Sequence, residues 1–249
     1  MNEKKDINKI NTYNKHNSFF SFSSINKEFN DDKITKKINT LYKNKIGLDK
    51  ININDHLILD KTVQDLNLNS EQKKKSNFTL SKNVIDEILS LNENEILRYL
   101  VFRYKYEIFP LVKKLDKYPP YLQIEPSSIC NYRCVFCFET DKTFTNKKNG
   151  FMGKMDINLF KNIIDQIHGN IEFISLASRG EPLMCKDIEK MLLYTKNKFL
   201  NLKINTNASM LTEKKIHAIL NSGVKTLSFS ADAADEKSYA ELRVNGNLN

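Results

Sequence analysis

Apolar positions recur along this chain with two different periods, and the change from one to the other divides it. Val84, Ile85, Ile88 and Leu89 fall at helical spacing behind Ser81, a residue type suited to capping a helix N-terminus. Asn92 followed by Glu95 has the form of a capping box and opens a second helix through NENEILRYLVFRYKYEIF. Pro119-Pro120 then makes a stiff joint. Beyond it, short apolar runs alternate with helical repeats. Tyr121–Glu125, Ile171–Ala177, Leu202–Asn205 and Thr226–Ser230 read as strands. Asp156 caps a helix with Leu159, Ile163, Ile164 and Ile167 on one face, closed by His168-Gly169. Asp187–Phe199 is a second helix, Thr212 caps a third that ends at Gly223, and Ala234–Arg243 is a fourth.

Four strand–helix units in succession specify an α/β fold, a parallel sheet with helices outside it. The expected architecture is a partial (β/α) barrel of the TIM type, with about four units present. In such a barrel the chemistry sits in the loops after the strands. The polar residues obey that rule. Three cysteines follow the first strand, and Ser178-Arg179-Gly180-Glu181-Pro182 follows the second. Asn205-Thr206-Asn207 ends the third, and Ser230-Ala231-Asp232 ends the fourth. Polar loops are ordinary, but four of them in register point to one rim.

Upstream the chain changes character. Residues 1–109 contain one glycine, Gly47, and no proline. Residues 1–80 are rich in Asn and Lys, with short apolar clusters at Phe19, Phe20 and Phe22 and at Leu57, Ile58 and Leu59. Their weak periodicity predicts a disordered or loosely helical extension, with a small helical domain as the alternative. Three regions are therefore expected: the extension over 1–80, a helical lead-in over 81–118, and the core domain over 119–249.

Charge narrows the function classes. The net charge is +9, of which residues 1–85, with 16 Lys against 10 acidic residues, supply +6. Only five of the 39 basic residues are Arg. Readers of nucleic acid lean on the bidentate guanidinium, so diluted Lys argues against that class. No run of 18 apolar residues marks a membrane span, and the N-terminal MNEKKDINKINTYNKHNS lacks the apolar core of a signal peptide. The expected location is the cytoplasm, where clustered cysteines serve metals or catalysis rather than disulfides.

Three of the chain's four cysteines, Cys130, Cys134 and Cys137, lie within eight residues. Three thiolates in one loop suit a soft metal site. Structural zinc wants four ligands. A [4Fe–4S] cluster held by three keeps one iron open for a ligand. Cys185, 48 positions past Cys137, reads as a buried small hydrophobe. The alternative function is a non-catalytic metal-binding module, either a degenerate barrel or a four-thiolate zinc site with Cys185 as the fourth ligand. Glu139 and Asp141, just past the cysteines, are expected to be solvated, with a substrate contact as the alternative.

The C-x3-C-x2-C spacing, Phe136 before its last cysteine, and Gly180-Glu181-Pro182 in the next βα loop resemble the radical S-adenosylmethionine (radical SAM) superfamily. The resemblance covers about Pro120–Arg243. It implies an enzyme in which Cys130, Cys134 and Cys137 ligate a [4Fe–4S] cluster and the open iron binds S-adenosyl-L-methionine. Reductive cleavage of that cofactor yields a 5′-deoxyadenosyl radical, which takes hydrogen from a substrate. The hard chemistry is the cofactors', and the protein orients them and excludes water.

The same resemblance implies further roles. Phe136 lies near the adenine. Gly180 and Glu181 meet the methionine amino group, with Arg179 standing where the family has another glycine. Ser230 and Asp232 contact ribose or the methionine carboxylate, and Asn205 and Asn207 are weaker candidates on the preceding strand. Arg243 either meets that carboxylate or caps its helix. KNGFMGKMDINLFKNII and SFSADAADEKSYAELR resemble the branch that carries a Cys-rich SPASM tail. Its members modify peptides or proteins or make small molecules, and their electrons come from a donor such as flavodoxin or ferredoxin. The end at Asn249, short of six βα units, is read as marking a piece of a longer protein or one completed by another chain.

Overall fold

The structure is a computed structural model that describes residues 31–69, 71–72 and 74–248. The Phe19–Phe22 cluster lies outside the described residues.

The capping residues read from sequence open the helices expected of them. Ser81 Oγ accepts from the Val84 N–H at the head of Lys82–Ser90, and Asn92 and Glu95 form the capping box of Glu93–Leu111. Asp156 and Thr212 cap Ile157–Ile167 and Glu213–Asn221. Each cap satisfies an amide that the first helical turn leaves without a partner.

The stretch expected to be an extension is folded from Asp31 onward. Two helices, α1 (Asp31–Lys43) and α2 (His56–Leu66), pack with α3 (Lys82–Ser90) and α4 (Glu93–Leu111). Ile34, Ile38 and Leu41 on α1, and Leu59, Val63 and Leu66 on α2, repeat at three- and four-residue steps and bury one face. The Leu57-Ile58-Leu59 clump misleads in sequence, since Leu59 is buried whereas Leu57 is 79% exposed. Asp65 adds a polar anchor in this core. Its carboxylate is fully buried and accepts from the Phe78 N–H at 2.9 Å and Asn77 Nδ2 at 2.8 Å, with Lys61 Nζ at 2.8 Å.

The sheet that follows is singly wound. Its strands β1 (Tyr121–Ile124), β3 (Phe173–Leu176), β4 (Asn201–Thr206) and β5 (Val224–Phe229) pair in chain order, and every pairing is parallel. The crossovers carry the helices α6 (Ile157–Ile167), α7 (Ile188–Tyr194) and α8 (Glu213–Asn221), and α9 (Glu236–Leu242) follows β5. A four-residue helix α5 (Lys142–Thr145) lies in the first crossover. This is the α/β class and unit count expected.

One face of the sheet, with Ile124, Ile174, Leu176, Leu202 and Ile204, packs on Phe160, Ile164, Ile188, Met191 and Ala218 of the helices. The helical unit meets the sheet at the opposite end from the cysteines. Phe102 of α4 stacks on Phe173, the first residue of β3, with centroids 3.8 Å apart, and Leu200 just before β4 joins the same core. Arg98 Nε lies 3.1 Å from a Glu172 carboxylate oxygen beside them.

Two elements differ from expectation. The Asp187–Phe199 helix stops at Tyr194, because the Thr195 hydroxyl and amide both turn back onto Leu192 O. The last helix stops at Leu242, and Arg243–Val244 becomes a short strand β6. It pairs antiparallel with β2 (Arg133–Cys134) inside the cysteine loop. This long-range pairing has no signal in local periodicity.

Candidate functional site

The three cysteines of the loop are gathered in one place. Cys134 packs with Tyr132 and Tyr239 in a small apolar cluster, and Cys130 and Cys137 pack against it. Local bonds shape the loop. The Cys137 N–H donates to Cys134 O at 2.9 Å, and the Tyr132 N–H donates to Cys130 Sγ at 3.4 Å. The β2–β6 pairing ties its middle to the end of α9.

Burial pushes the Cys130 and Cys134 thiols above the ordinary range. The Tyr132 amide opposes the shift at Cys130, and the Arg243 charge opposes it at Cys134. All four cysteines are free, but Cys185 belongs elsewhere. It is 1% exposed in the main core between Met155 O and Met191 Sδ, apart from the three-cysteine cluster. The four-thiolate zinc arrangement is therefore not assembled.

No group of three His, Cys, Asp or Glu side chains among the described residues is gathered closely enough to hold a single ion. An ion-sized site needs every sulfur about 2.3 Å from one atom. A [4Fe–4S] cluster takes each thiolate on a different iron, so its ligands stand further apart. The three thiols gathered in one loop supply the donor number that such a cluster takes from the protein.

The Gly-Glu-Pro loop meets the cysteine loop directly. A Cβ on Gly180 would lie 2.0 Å from Ser127 O and 2.6 Å from Ile129 N, so only glycine allows the approach. The Glu181 N–H donates to Ile129 O at 3.0 Å, one residue before Cys130. Ser178 enters this loop at φ 144°, a strained value for a residue with a side chain. That turn brings the Arg179 N–H to Glu125 Oε1 at 2.7 Å, and its guanidinium holds the same carboxylate through Nε and Nη2 at 3.3 and 2.9 Å. Burial pushes the Glu125 carboxyl up, but the Arg179 bonds and charge outweigh it and hold the group below the usual range. Arg179 is thus a fastener between the ends of β1 and β3.

Glu181 is 3% exposed and also spends its carboxylate inside the protein. Oε1 accepts from the Leu183 N–H at 3.1 Å and the Thr206 hydroxyl at 2.6 Å, and Oε2 from the Asn207 N–H at 2.8 Å. It joins the loops after β3 and β4. Asn207, a weak candidate in sequence, is central. Its Nδ2 donates to Asn131 Oδ1 at 3.1 Å and reaches Cys130 Sγ at 3.8 Å. Asn205 is exposed and lies opposite Ser228 in the β4–β5 register.

The loop after β5 completes the rim. The Ser230 N–H donates to Thr206 O at 2.9 Å. Asp232 pairs with Arg243, whose Nη1 also donates to Cys134 Sγ at 3.5 Å. The Arg243 guanidinium lies 5.5 Å from the centre of the Phe136 ring, which is 60% exposed. Arg243 therefore clamps the cysteine loop, a role neither expectation for it contained. Asn131, Asn207, Ser230 and Tyr239 line a cavity of about 540 Å³ between the first, third and fourth loops.

The expectation for Glu139 is corrected. It is not solvated but 2% exposed, because the short helical turn after Cys137 folds it inward. Burial pushes its carboxyl up, while the charges of Arg133 and Arg179 pull the other way. Sequence offered no signal for this, since the turn follows no apolar repeat. Asp141 stays at the surface and caps α5 through Thr143 N at 2.7 Å.

Residues 124–248 match the family described as the Radical SAM superfamily. A GTP 3′,8-cyclase of Clostridium botulinum is 27% identical over 131 residues, 52% of this chain and 40% of that protein. A GTP 3′,8-cyclase of Campylobacter jejuni subsp. doylei is 31% identical over 136 residues, 53% of this chain and 41% of that protein. The chain thus spans about two fifths of the length of these relatives. Among solved structures, Streptococcus suis SuiB bound to precursor peptide SuiA matches 75% of this chain and 38% of that one, with 22% identity and a TM-score of 0.43. BtrN in complex with AdoMet and 2-DOIA matches 50% of each chain, with 26% identity and a TM-score of 0.40. Among the described residues, no helix is long and apolar enough to cross a membrane.

Proposed function

The chain belongs to the radical SAM superfamily, and from that premise we propose that it binds a [4Fe–4S] cluster through Cys130, Cys134 and Cys137 and S-adenosylmethionine beside it. The observation that carries this reading is the three-thiol set: three cysteines share one small cluster while Cys185 is buried in a different core. A three-ligand set leaves one iron open. When bound, the pair supplies one-electron chemistry that begins with reductive cleavage of the sulfonium and ends in hydrogen abstraction from a substrate.

The chain's own residues would do the rest. Tyr132 N–H and Arg243 Nη1 direct donors at the sulfurs of Cys130 and Cys134. Such donors stabilise thiolate charge and tune a cluster's potential. Gly180 keeps the second βα loop against the first, and Glu181 fixes the third. The cavity beside Asn207 and Ser230 offers amide and hydroxyl groups to ribose and carboxylate, and Phe136 offers an exposed ring face to adenine. A low-potential donor protein such as a flavodoxin or ferredoxin would supply the electron. The substrate would be a peptide, a protein or a small molecule.

Anaerobic reconstitution tests the reading. The chain should hold about four iron and four sulfide per polypeptide, and Cys134→Ala should lower that content while Cys185→Ala leaves it unchanged. With dithionite and S-adenosylmethionine it should release 5′-deoxyadenosine. Zinc in place of iron, or metal lost on Cys185→Ala but kept on Cys134→Ala, would refute the assignment.

A further inference from the structure

The stretch between the cysteine loop and α6 carries large apolar side chains that no core uses. Of residues 138–154, only Glu139 is buried. Phe138 and Phe151 are 47% and 48% exposed, yet they are not scattered. Their ring centres lie 5.8 and 6.0 Å from that of Phe144, so the three form one row, and none of them belongs to any of the three cores. The row begins at the residue next to Cys137, and Val135, two residues before that cysteine, is also exposed. Single exposed apolar residues are ordinary, but a contiguous apolar patch marks a surface that something covers.

Hydrogen bonds hold this patch in a set place relative to the thiols. Asp141 Oδ1 accepts from the Thr143 N–H at 2.7 Å, and Asn149 Nδ2 donates to Thr143 O at 2.8 Å. Ser128 Oγ donates to Phe151 O at 3.0 Å and accepts from the Gly153 N–H at 2.8 Å, two residues before Cys130. Charge then says what kind of surface covers the row. Lys142, Lys147, Lys148 and Lys154 are exposed in the same segment, against one exposed carboxylate, Asp141. Aromatic anchors among positive charges suit a partner whose apolar spot lies within an acidic rim.

We propose that the Phe138–Phe144–Phe151 row and its lysines are the docking surface for a small acidic electron-carrier protein, an assignment that rests on the cofactor reading above. On that reading the three thiols hold a centre that takes one electron from outside the chain. Electron tunnelling weakens steeply with distance, so the carrier has to sit close to a thiol. A carrier seated on the row brings its redox group toward the residue next to Cys137. It is oxidised by one electron, the cysteine-bound centre is reduced by one, and no bond or proton moves at this surface. The lysines steer the acidic carrier to the row, and the rings hold it briefly, as suits a small, transient interface.

The test uses the cluster-loaded chain, a flavodoxin as the acidic carrier, and dithionite as a reductant too small to need docking. Iron, sulfide and oligomeric state are measured first. Calorimetry follows binding of the oxidised flavodoxin, and stopped-flow absorbance follows cluster reduction by each reductant. Wild type should bind the flavodoxin more weakly as salt rises. Lys142→Glu, Lys147→Glu and Lys148→Glu together should weaken binding and slow reduction by flavodoxin about 10- to 100-fold at low salt, with iron content and the dithionite rate unchanged. Lys142→Gln, Lys147→Gln and Lys148→Gln together remove attraction without adding repulsion and should fall between. Phe151→Ala should weaken binding roughly tenfold at every salt concentration. Wild-type affinities and rates in all these variants, or a flavodoxin that does not bind wild type, would overturn the assignment. So would iron loss or equal slowing with dithionite, the mark of a purely structural segment. A changed oligomeric state with flavodoxin binding intact would overturn it too, because the row would then join copies of this chain. A wild-type chain that holds no cluster would sink the cofactor reading itself, and with it this assignment.

Discussion

Replacing Gly180 with alanine should disconnect the two loops that carry the site. The added Cβ would stand 2.0 Å from Ser127 O and 2.7 Å from Ser127 C. These are backbone atoms and cannot rotate away. Ordinary contact begins near 3.4 Å, so the loops must part by about 1.4 Å. That movement breaks the Glu181 N–H bond to Ile129 O, now 3.0 Å, at a cost of about 1 kcal/mol. Overpacking adds about 1–3 kcal/mol. A total of about 2–4 kcal/mol lowers the melting temperature by roughly 5–15 °C for a chain of this size. Ile129 precedes Cys130, so the first thiol moves away from the other two and iron loading falls with stability. Thermal unfolding by circular dichroism, with iron and sulfide assays after anaerobic reconstitution, reads both effects. Gly153→Ala is the control, because a Cβ there meets nothing within 4 Å. A Gly180→Ala protein that melts within about 2 °C of wild type and loads a full complement of iron would refute the reasoning.

Two further outcomes concern the helical unit and its seat under the sheet. Burial raises the Glu172 carboxyl from 4.5 to about 7 against the opposing charge of Arg98. The folded protein thus keeps a proton that the unfolded chain has released, and stability falls as pH rises from about 4.5 through about 7, by at most about 3 kcal/mol. Denaturant melts across that window should show the decline, and Glu172→Gln should flatten it; an unchanged slope would count against a buried, protonated Glu172. Asp65→Ala removes the acceptor of the Phe78 amide and Asn77 in a dry core. Urea unfolding should show about 2–4 kcal/mol lost, and a loss below about 0.5 kcal/mol would mean that water reaches the site.

Much of the architecture was legible because it is written in short-range chemistry. Ser81, Asn92, Asp156 and Thr212 cap helices through bonds that span two or three residues. Ile174, Leu176, Leu202 and Ile204 are apolar because helices cover that face of the strands. The cysteine spacing and the Gly-Glu-Pro run are contiguous in sequence, so their resemblance to a family could be read directly. Residues 31–66 were read as an extension because their apolar positions are sparse among Asn and Lys. Those few positions suffice only because α3 and α4 supply the other half of the core.

The sequence by itself determined the order of the four βα units, the three-thiol loop and the rim on which the polar loops gather. These depend on local capping, apolar period and chain direction, which a linear string carries. Tertiary structure alone decided what each rim residue does. Arg243 clamps Cys134 and Asp232 because β6 pairs with β2 across about 110 positions. Arg179 binds Glu125 across 54 positions, and Glu181 reaches Asn207 across 26. Glu139, two residues past a thiol, is buried and without a donor, whereas Asp141, two residues later, is exposed. Whether a carboxylate is a fastener, a surface group or an open acceptor depends on the donors that distant strands bring within 3 Å of it, and no spacing along the chain encodes that distance.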